Sequence, residues 1–324
     1  MIPSKNDFRI VFMGTPEFAV ESLRALIKGG YNVVGVVTNP DKPAGRGRRI
    51  KESAVKAFAR EQGLNLLQPD DLKDDAFADE LKKLEPSLQV VVAFKILPAK
   101  IFDIPTYGTF NLHASLLPDY RGAAPINHAI INGEKKTGVT TFFLDKSVDT
   151  GQIIKKKETR IDPNDNAGTL HDKLMMAGGE LVTETVEAIR TDRYSTTPQQ
   201  KLINEKKPPR KAPKIFKEDC KINWCNPSGE VHNFIRGLSP YPAAWTELKN
   251  AEESLTMKVY RARPEIKKHG HPCGSLHSDH KSYLKVATPD GFIQLDEIRQ
   301  SGKKRMSVTE FLKGFRNITD FKCT

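Results

Sequence analysis

Between Phe8 and Phe94, short apolar runs alternate with segments of helical period, and this alternation restricts the fold more than any other feature. Residues 8–13 place Phe8, Ile10, Val11, Phe12 and Met13 in a strand-like run that Gly14-Thr15-Pro16 punctuates. A helix pattern over 17–28 stops at Gly29-Gly30, where a missing Cβ permits the backbone of a helix C-terminus. Further strands are expected at 31–37, 64–67 and 88–94, with helices at 53–62 and 72–84. Strands that are apolar on both faces and separated by helices imply a mainly parallel sheet covered on both sides. The expected architecture is an α/β, nucleotide-fold-like domain. Only Gly14 follows the first strand, where a dinucleotide site needs G-x-G-x-x-G for the backbone to approach a pyrophosphate. A nicotinamide or flavin enzyme is therefore rejected.

After Thr109 the pattern changes. Residues 109–117, 138–144 and 152–161 are strand-like, a helix is expected at 125–131, and a long helix at 167–190. The stretch 191–213 is polar and rich in Pro and Lys, including Lys206-Lys207-Pro208-Pro209-Arg210-Lys211, and reads as a linker. Short strands with frequent turns follow at 254–261, 283–287 and 291–295, the pattern of a small OB-like β-barrel. The expected organisation is a domain over 1–190, a linker over 191–213 and a second domain over 214–324. Charge follows that division. Residues 1–200 carry 27 Lys and Arg against 26 Asp and Glu, and the rest of the 324-residue chain carries 24 against 14. A near-neutral part suits chemistry and a basic part suits a polyanionic partner, although a plain solvated basic surface explains the charge equally well. No apolar run approaches the roughly 20 residues that cross a bilayer, the stretch before the first strand is too short for a signal peptide, and four cysteines make no disulfide framework. The expectation is a cytoplasmic protein with no membrane association.

Chemistry concentrates at Asn111-Leu112-His113-Ala114-Ser115-Leu116-Leu117-Pro118-Asp119-Tyr120-Arg121-Gly122. In a strand, Asn111 and His113 share one face because side chains alternate with period two. The pair precedes a Pro-marked turn, and strand ends are where open α/β sheets hold ligands. Downstream, Asp145-Lys146-Ser147-Val148-Asp149-Thr150-Gly151 lies between two strand-like runs, so its carboxylates can reach a neighbouring strand end. An Asx-turn in which Asp149 caps Gly151 is the structural alternative.

The run Asn111 to Gly122, followed by Asp149-Thr150-Gly151, resembles the signature of the folate-dependent formyltransferase family, whose members formylate methionyl-tRNA, glycinamide ribonucleotide or amino sugars. Resemblance to the members that act on methionyl-tRNA covers almost the whole chain. It includes Met13-Gly14-Thr15-Pro16, Pro40-Asp41-Lys42-Pro43-Ala44-Gly45-Arg46-Gly47, Ile235-Arg236-Gly237-Leu238 and Gln300-Ser301-Gly302-Lys303-Lys304-Arg305-Met306. The resemblance implies 10-formyltetrahydrofolate as donor and the amine of initiator methionyl-tRNA as acceptor. It implies Asn111, His113 and Asp149 as catalytic residues, with Asn111 and His113 donating to the oxyanion and Asp149 holding His113 or keeping it protonated. It also implies folate contacts from Ser115, Leu116, Leu117 and Pro118, with Ile96 and Leu97 in an apolar pocket, and tRNA contacts from Lys42, Arg46, Lys303 and Lys304. The basic third would be the tRNA-binding domain.

Two positions depart from the family pattern. Gln152 follows Gly151 where a second acidic residue is common, and Lys42 stands where an arginine is common, without the guanidinium fork. The segment 39–49 combines charge with Pro43, Gly45 and Gly47, and is expected to order only on a partner. His269, His271, Cys273, His277 and His280 are closely spaced, yet no C-x-x-C pair accompanies them, and no metal site is expected. A monomer is expected. Transfer to a small amine is the competing activity, and a non-catalytic RNA-binding protein is the third reading.

Overall fold

The computed structural model describes residues 2–44, 49–206, 208–315 and 317–324, with the backbone alone for 42–44 and 49–51. The chain forms two compact units. One comprises Met1–Gly122, Lys136–Arg160 and His171–Lys211, and the other Ala123–Lys135, Ile161–Leu170 and Ala212–Thr324.

Elements run in the order β1 (Arg9–Gly14), α1 (Glu17–Lys28), β2 (Asn32–Val37), β3 (Lys42–Ala44), β4 (Arg49–Lys51), α2 (Ala54–Glu61), β5 (Leu66–Leu67), α3 (Asp75–Lys83), β6 (Leu88–Val92), α4 (Ala99–Phe102) and β7 (Thr109–His113). They continue with α5 (Pro125–Ile131), β8 (Lys136–Phe143), β9 (Ile153–Arg160) and α6 (Ala167–Arg190). The first unit is built on a seven-stranded sheet ordered β5-β2-β1-β6-β7-β8-β9. Its first five strands are parallel and β8 and β9 are antiparallel. Val11, Met13 and Val91 pack with Phe77 and Leu81 of α3 and with Ile101 of α4. Their neighbours Ile10, Phe12 and Val90 are also fully buried. Burial on both faces is why β1 and β6 read as unbroken apolar runs.

Helix starts follow their capping residues. Ser53 Oγ accepts the Lys56 amide ahead of α2, and the Asp74 carboxylate accepts the Ala76 amide ahead of α3. Gly14 is required at the end of β1, because a Cβ there would lie 2.6 Å from that of Ala19 and 3.0 Å from the Val92 carbonyl. From β1 the chain builds outward through β2 and β5, then returns to add β6 and β7 on the other side. That reversal opens a crevice at the strand C-termini. Asn111 and His113 end the strand beside it.

Two sequence expectations shift. Residues 42–44 and 49–51 form the antiparallel pair β3–β4, with Pro43 opposite Ile50, so paired backbone groups give the described ends of this segment local structure, while 45–48 lie outside the described residues. The strand expected over 109–117 stops at His113. Beyond that point side chains replace the ladder: Ser115 Oγ donates to the Asp119 carbonyl at 2.6 Å, and Thr140 Oγ1 accepts the Leu117 amide at 3.2 Å.

The second unit adds α7 (Ser228–Leu238), β10 (Ala244–Lys249), β11 (Ser254–Ile266), β12 (Leu276–Ser278), β13 (Leu284–Thr288), β14 (Gly291–Gln300), β15 (Met306–Ser307), α8 (Val308–Gly314) and β16 (Lys322–Cys323). Its antiparallel sheet runs β12-β13-β14-β11-β10-β16, with β15 on β14. An antiparallel bridge from Ser275 to Lys322 and a bond from the Cys323 amide to the Gly274 carbonyl bring β16 back towards β12. This is the small antiparallel near-barrel expected from the turn-rich sequence. Irregular register between Val259 and Ala262 bends the long β11 around the ring. Inward residues such as Met257, Val286, Ile293 and Leu295 form one core with Val231, Ile235 and Leu238 of α7.

Candidate active site

The strand β7 lies between parallel β6 and antiparallel β8, with Asn111 opposite Val91 and Phe142, and His113 opposite Thr140. Both side chains therefore sit on one face, two residues apart. The Asn111 amide is half-buried, and its Oδ1 is buried without a hydrogen-bond partner. Leaving such an acceptor unpaired costs about 1–3 kcal/mol, so a ligand that donates to it gains affinity.

His113 is buried, and its Nε2 lies 2.8 Å from the Tyr120 carbonyl. A carbonyl only accepts, so Nε2 carries the proton and Nδ1 keeps its lone pair. Burial pushes the imidazole below its usual 6.5, against the opposing pull of the Asp149 charge and the Tyr120 carbonyl, and Arg121 adds to the lowering. The ring is thus held neutral by desolvation and oriented by Tyr120. The Asp149 interaction pictured from the sequence, in which the carboxylate keeps His113 protonated, does not prevail over burial.

Tyr120 is itself fastened. Its backbone is left-handed, with φ of 61°, its amide donates to the Arg210 carbonyl at 2.6 Å, and its hydroxyl accepts from Arg210 Nη1 at 3.0 Å. The preceding turn is braced by Lys156, whose ammonium donates to the Leu117 carbonyl.

Asp149 occupies the loop between β8 and β9, also with a left-handed φ of 56°. Its Oδ2 accepts the Gly122 amide at 3.1 Å. The Asx-turn in this loop belongs instead to Asp145, whose Oδ1 accepts the Ser147 amide and the Thr150 hydroxyl. Gly151 is fixed by space: a Cβ would lie 1.7 Å from the Phe143 carbonyl. A buried amide from outside the motifs closes the arrangement. Gln199 Nε2 donates to the carbonyls of Asp149 and Gly151, each at 2.9 Å, while its Oε1 accepts from Arg121 Nε and Nη2 at 2.9 and 2.6 Å. Gln199 therefore couples the Asp149 loop to the turn that carries Tyr120 to Gly122. Sequence reasoning passed over it because it lies in the polar 191–213 stretch, where no pattern distinguishes it. The Thr197–Ile153 bridge, which pins that stretch to β9, is equally silent in the sequence.

The other sequence-derived positions are more scattered. Ser115, Leu117 and Pro118 are buried and Leu116 is partly so, with Ser115 Oγ already committed to Asp119. Ile96 is 75% exposed, whereas Leu97 joins the core with Leu72 and Ile101. Lys303 and Lys304 are exposed in the turn after β14, Lys304 being 3.7 Å from Glu310. Lys42 lies in β3, its side chain outside the described residues, as is the whole of Arg46. His269, His271 and His277 cluster around Phe292, and among the described residues no three His, Cys, Asp or Glu are placed to hold a metal ion.

A neutral, oriented imidazole, an asparagine amide whose N–H can donate and a backbone-anchored carboxylate in the adjoining loop suit proton transfer beside a developing oxyanion. Comparisons with known proteins give the family. The formyl transferase family profile matches residues 8–186 and the formyl transferase, C-terminal domain profile matches residues 214–316. A Parabacteroides distasonis protein named methionyl-tRNA formyltransferase is 53% identical, over 98% of both chains. One of the same name from Flavobacterium johnsoniae is 53% identical over 94% of this chain and 96% of its own. Among solved structures, the fold is shared with an N-formyltransferase from Helicobacter canadensis in complex with folinic acid and dTDP-3-aminofucose, with TM-score 0.63, 22% identity, and 92% and 99% of the two chains covered. It is shared also with HypX from Aquifex aeolicus in complex with tetrahydrofolic acid, with TM-score 0.60, 17% identity, and 95% of this chain against 47% of that one. The chain belongs to the formyl transferase family.

Proposed function

We propose that the protein transfers the formyl group of 10-formyltetrahydrofolate to the free amine of methionyl-tRNA, giving N-formylmethionyl-tRNA for translation initiation. The observation that carries this reading is similarity over both units to relatives bearing that activity in their names, at 53% identity and 98% coverage. Similarity to small-amine enzymes is confined to fold, at 22% identity. The reduced folate is a substrate, and the residues present suit it: the unpaired Asn111 Oδ1 accepts an N–H of a ligand, which leaves the amide nitrogen to face a carbonyl oxygen beside the buried His113.

The balance of the reaction is simple. The amine nitrogen bonds to the formyl carbon, the bond from that carbon to N10 of the folate breaks, and one proton moves from the amine to N10. Asn111 donates an N–H to the oxygen of the tetrahedral carbon. The Nδ1 lone pair of His113 takes the amine proton, and Tyr120 and the Asp149 charge stabilise the transient imidazolium. Asp149 completes the delivery of that proton to N10 through a water. Ser115, Leu116, Leu117 and Pro118, with Ile96 and Leu97, border the folate. Residues 1–190 act as the catalytic domain and 214–324 as the tRNA-binding domain, with Lys42, Arg46, Lys303 and Lys304 on the RNA. The protein acts as a cytoplasmic monomer, and no helix among the described residues is long and apolar enough to cross a membrane. Incubation with 10-formyltetrahydrofolate and charged methionyl-tRNA tests the proposal. Formyl-methionine released from the tRNA supports it, and formyl transfer to an amino sugar or glycinamide ribonucleotide in its place overturns it.

A further inference from the structure

The second unit contains a cleft of about 430 Å³, within the range of roughly 300–1,000 Å³ usual for small-ligand sites. Its walls combine the rings of Phe216, Tyr241 and Trp245 with the ammonium groups of Lys214, Lys217 and Lys258. Phe216 is 56% exposed and Tyr241 83% exposed. Single exposed aromatics are ordinary on a protein surface. Two that line one cleft beside a half-buried tryptophan bring three aromatic rings to one site.

Two of the rings are held before anything binds. The Trp245 indole Nε1 donates to the Lys217 carbonyl at 2.8 Å, and Lys221 lies 5.5 Å over the ring. Lys214 lies 5.2 Å over the Phe216 ring. Trp245 of β10 is directly opposite Lys258 of β11 in the antiparallel ladder. Lys258 Nζ donates to the Pro242 carbonyl at 2.8 Å, and burial together with Arg299 pushes its pKa down. Among the described residues no carboxylate pairs with Lys214, Lys217 or Lys258. Three ammoniums without an anion, one of them partly desolvated, beside flat rings match the two parts of an unpaired nucleotide. Phosphate answers the lysines, and a base stacks on the rings.

We infer that this cleft binds an unpaired nucleotide of the tRNA substrate, its base on Phe216, Tyr241 and Trp245 and its phosphates on Lys214, Lys217 and Lys258. The inference rests on tRNA being the acceptor. It assigns the basic charge of the last third a recognition element that a smooth cationic surface lacks, because duplex RNA offers no base face to stack.

Tryptophan fluorescence of the full chain reads the cleft directly. The chain has two tryptophans, and Trp224 is buried with its indole bonded to Thr246, so a ligand in the cleft reports through Trp245. Titration with a short single-stranded RNA should give saturable quenching that weakens with salt. Phe216→Ala and Tyr241→Ala, both at exposed positions, should each weaken binding on the order of tenfold, the size of a lost base stack. The same variants should raise KM for methionyl-tRNA while KM for the folate donor stays as it was. Equal quenching by a duplex of the same length, or by an acidic peptide, would overturn the inference, as would unchanged binding in both variants. If the protein instead formylated a small amine, the activity assay would fail whatever the fluorescence showed. If it formylated methionyl-tRNA with unaltered KM in both variants, the cleft inference alone would fall.

Discussion

His113 is neutral because it is buried, and that fixes its pH behaviour. Its folded pKa lies below the ordinary 6.5. Above pH 6.5 neither the folded nor the unfolded imidazole is protonated, and the group contributes no pH dependence. As pH falls through 6.5 the unfolded chain takes up a proton that the folded one refuses, so stability declines until the folded pKa is reached. Replacement by Gln should flatten this part of a stability-against-pH curve obtained by denaturant titration. In the active protein the same neutral Nδ1 is the base, so the limb that His113 itself contributes should lie below pH 6.5, apart from the limb of the acceptor α-amine, whose ordinary pKa is about 8. A limb centred well above 6.5 that vanishes in His113→Gln would contradict that assignment. Asn111→Ala should lower kcat on the order of 10²–10³, the usual loss when an oxyanion donor is removed, and His113→Ala on the order of 10²–10⁴, the range for a general base. Asp149→Asn should be similarly harmful through lost charge, and near-full turnover in that variant would remove Asp149 from the proton path.

At the scale of elements, two backbone arrangements hold the site: the turn after β7 and the loop between β8 and β9. Gln199 joins them. Gln199→Glu retains the oxygen facing Arg121 but loses the donors to the Asp149 and Gly151 carbonyls, leaving groups whose desolvation costs about 1–3 kcal/mol each. The expected result is a lower Tm and a fall in kcat larger than any change in either KM, since all four hydrogen bonds of the Gln199 amide go to Arg121 and to the Asp149 and Gly151 carbonyls. An unchanged kcat would show that the loop holds its shape without the clamp. Gly151→Ala should be worse, because its Cβ has no room beside Phe143. Much of this level was legible in the sequence. Period and punctuation located β1, α1, β6, α5 and α6, and the period of two put Asn111 and His113 on one face. The end of β7 was not, since Thr140 and Lys156, which stop it, lie far along the chain. Gln199 was hidden for the same reason: its role comes from contacts with Arg121 and Gly151, and nothing in its neighbours shows that.

For the whole molecule, the division of charge is the organising fact. The chain carries +11 overall, and nearly all of the excess follows residue 200. If that part meets tRNA phosphates, KM for methionyl-tRNA should rise steeply with salt while KM for the folate donor barely moves. Neutralising Lys42 and Arg46 together should lower kcat/KM for tRNA and spare folate binding. The basic balance was plain from composition. The cleft that gives it direction was not, because Phe216, Tyr241, Trp245 and Lys258 come together only through the β10–β11 pairing and the chain on either side of α7. The central claim is the identity of the acceptor. The most direct measurement is a competition in which the protein and 10-formyltetrahydrofolate meet charged methionyl-tRNA, methionine, an amino sugar and glycinamide ribonucleotide together, with formyl products quantified by mass. Formyl should appear on the methionyl-tRNA alone and be lost in Asn111→Ala. Formyl on a small amine, with methionyl-tRNA unmodified, would contradict it.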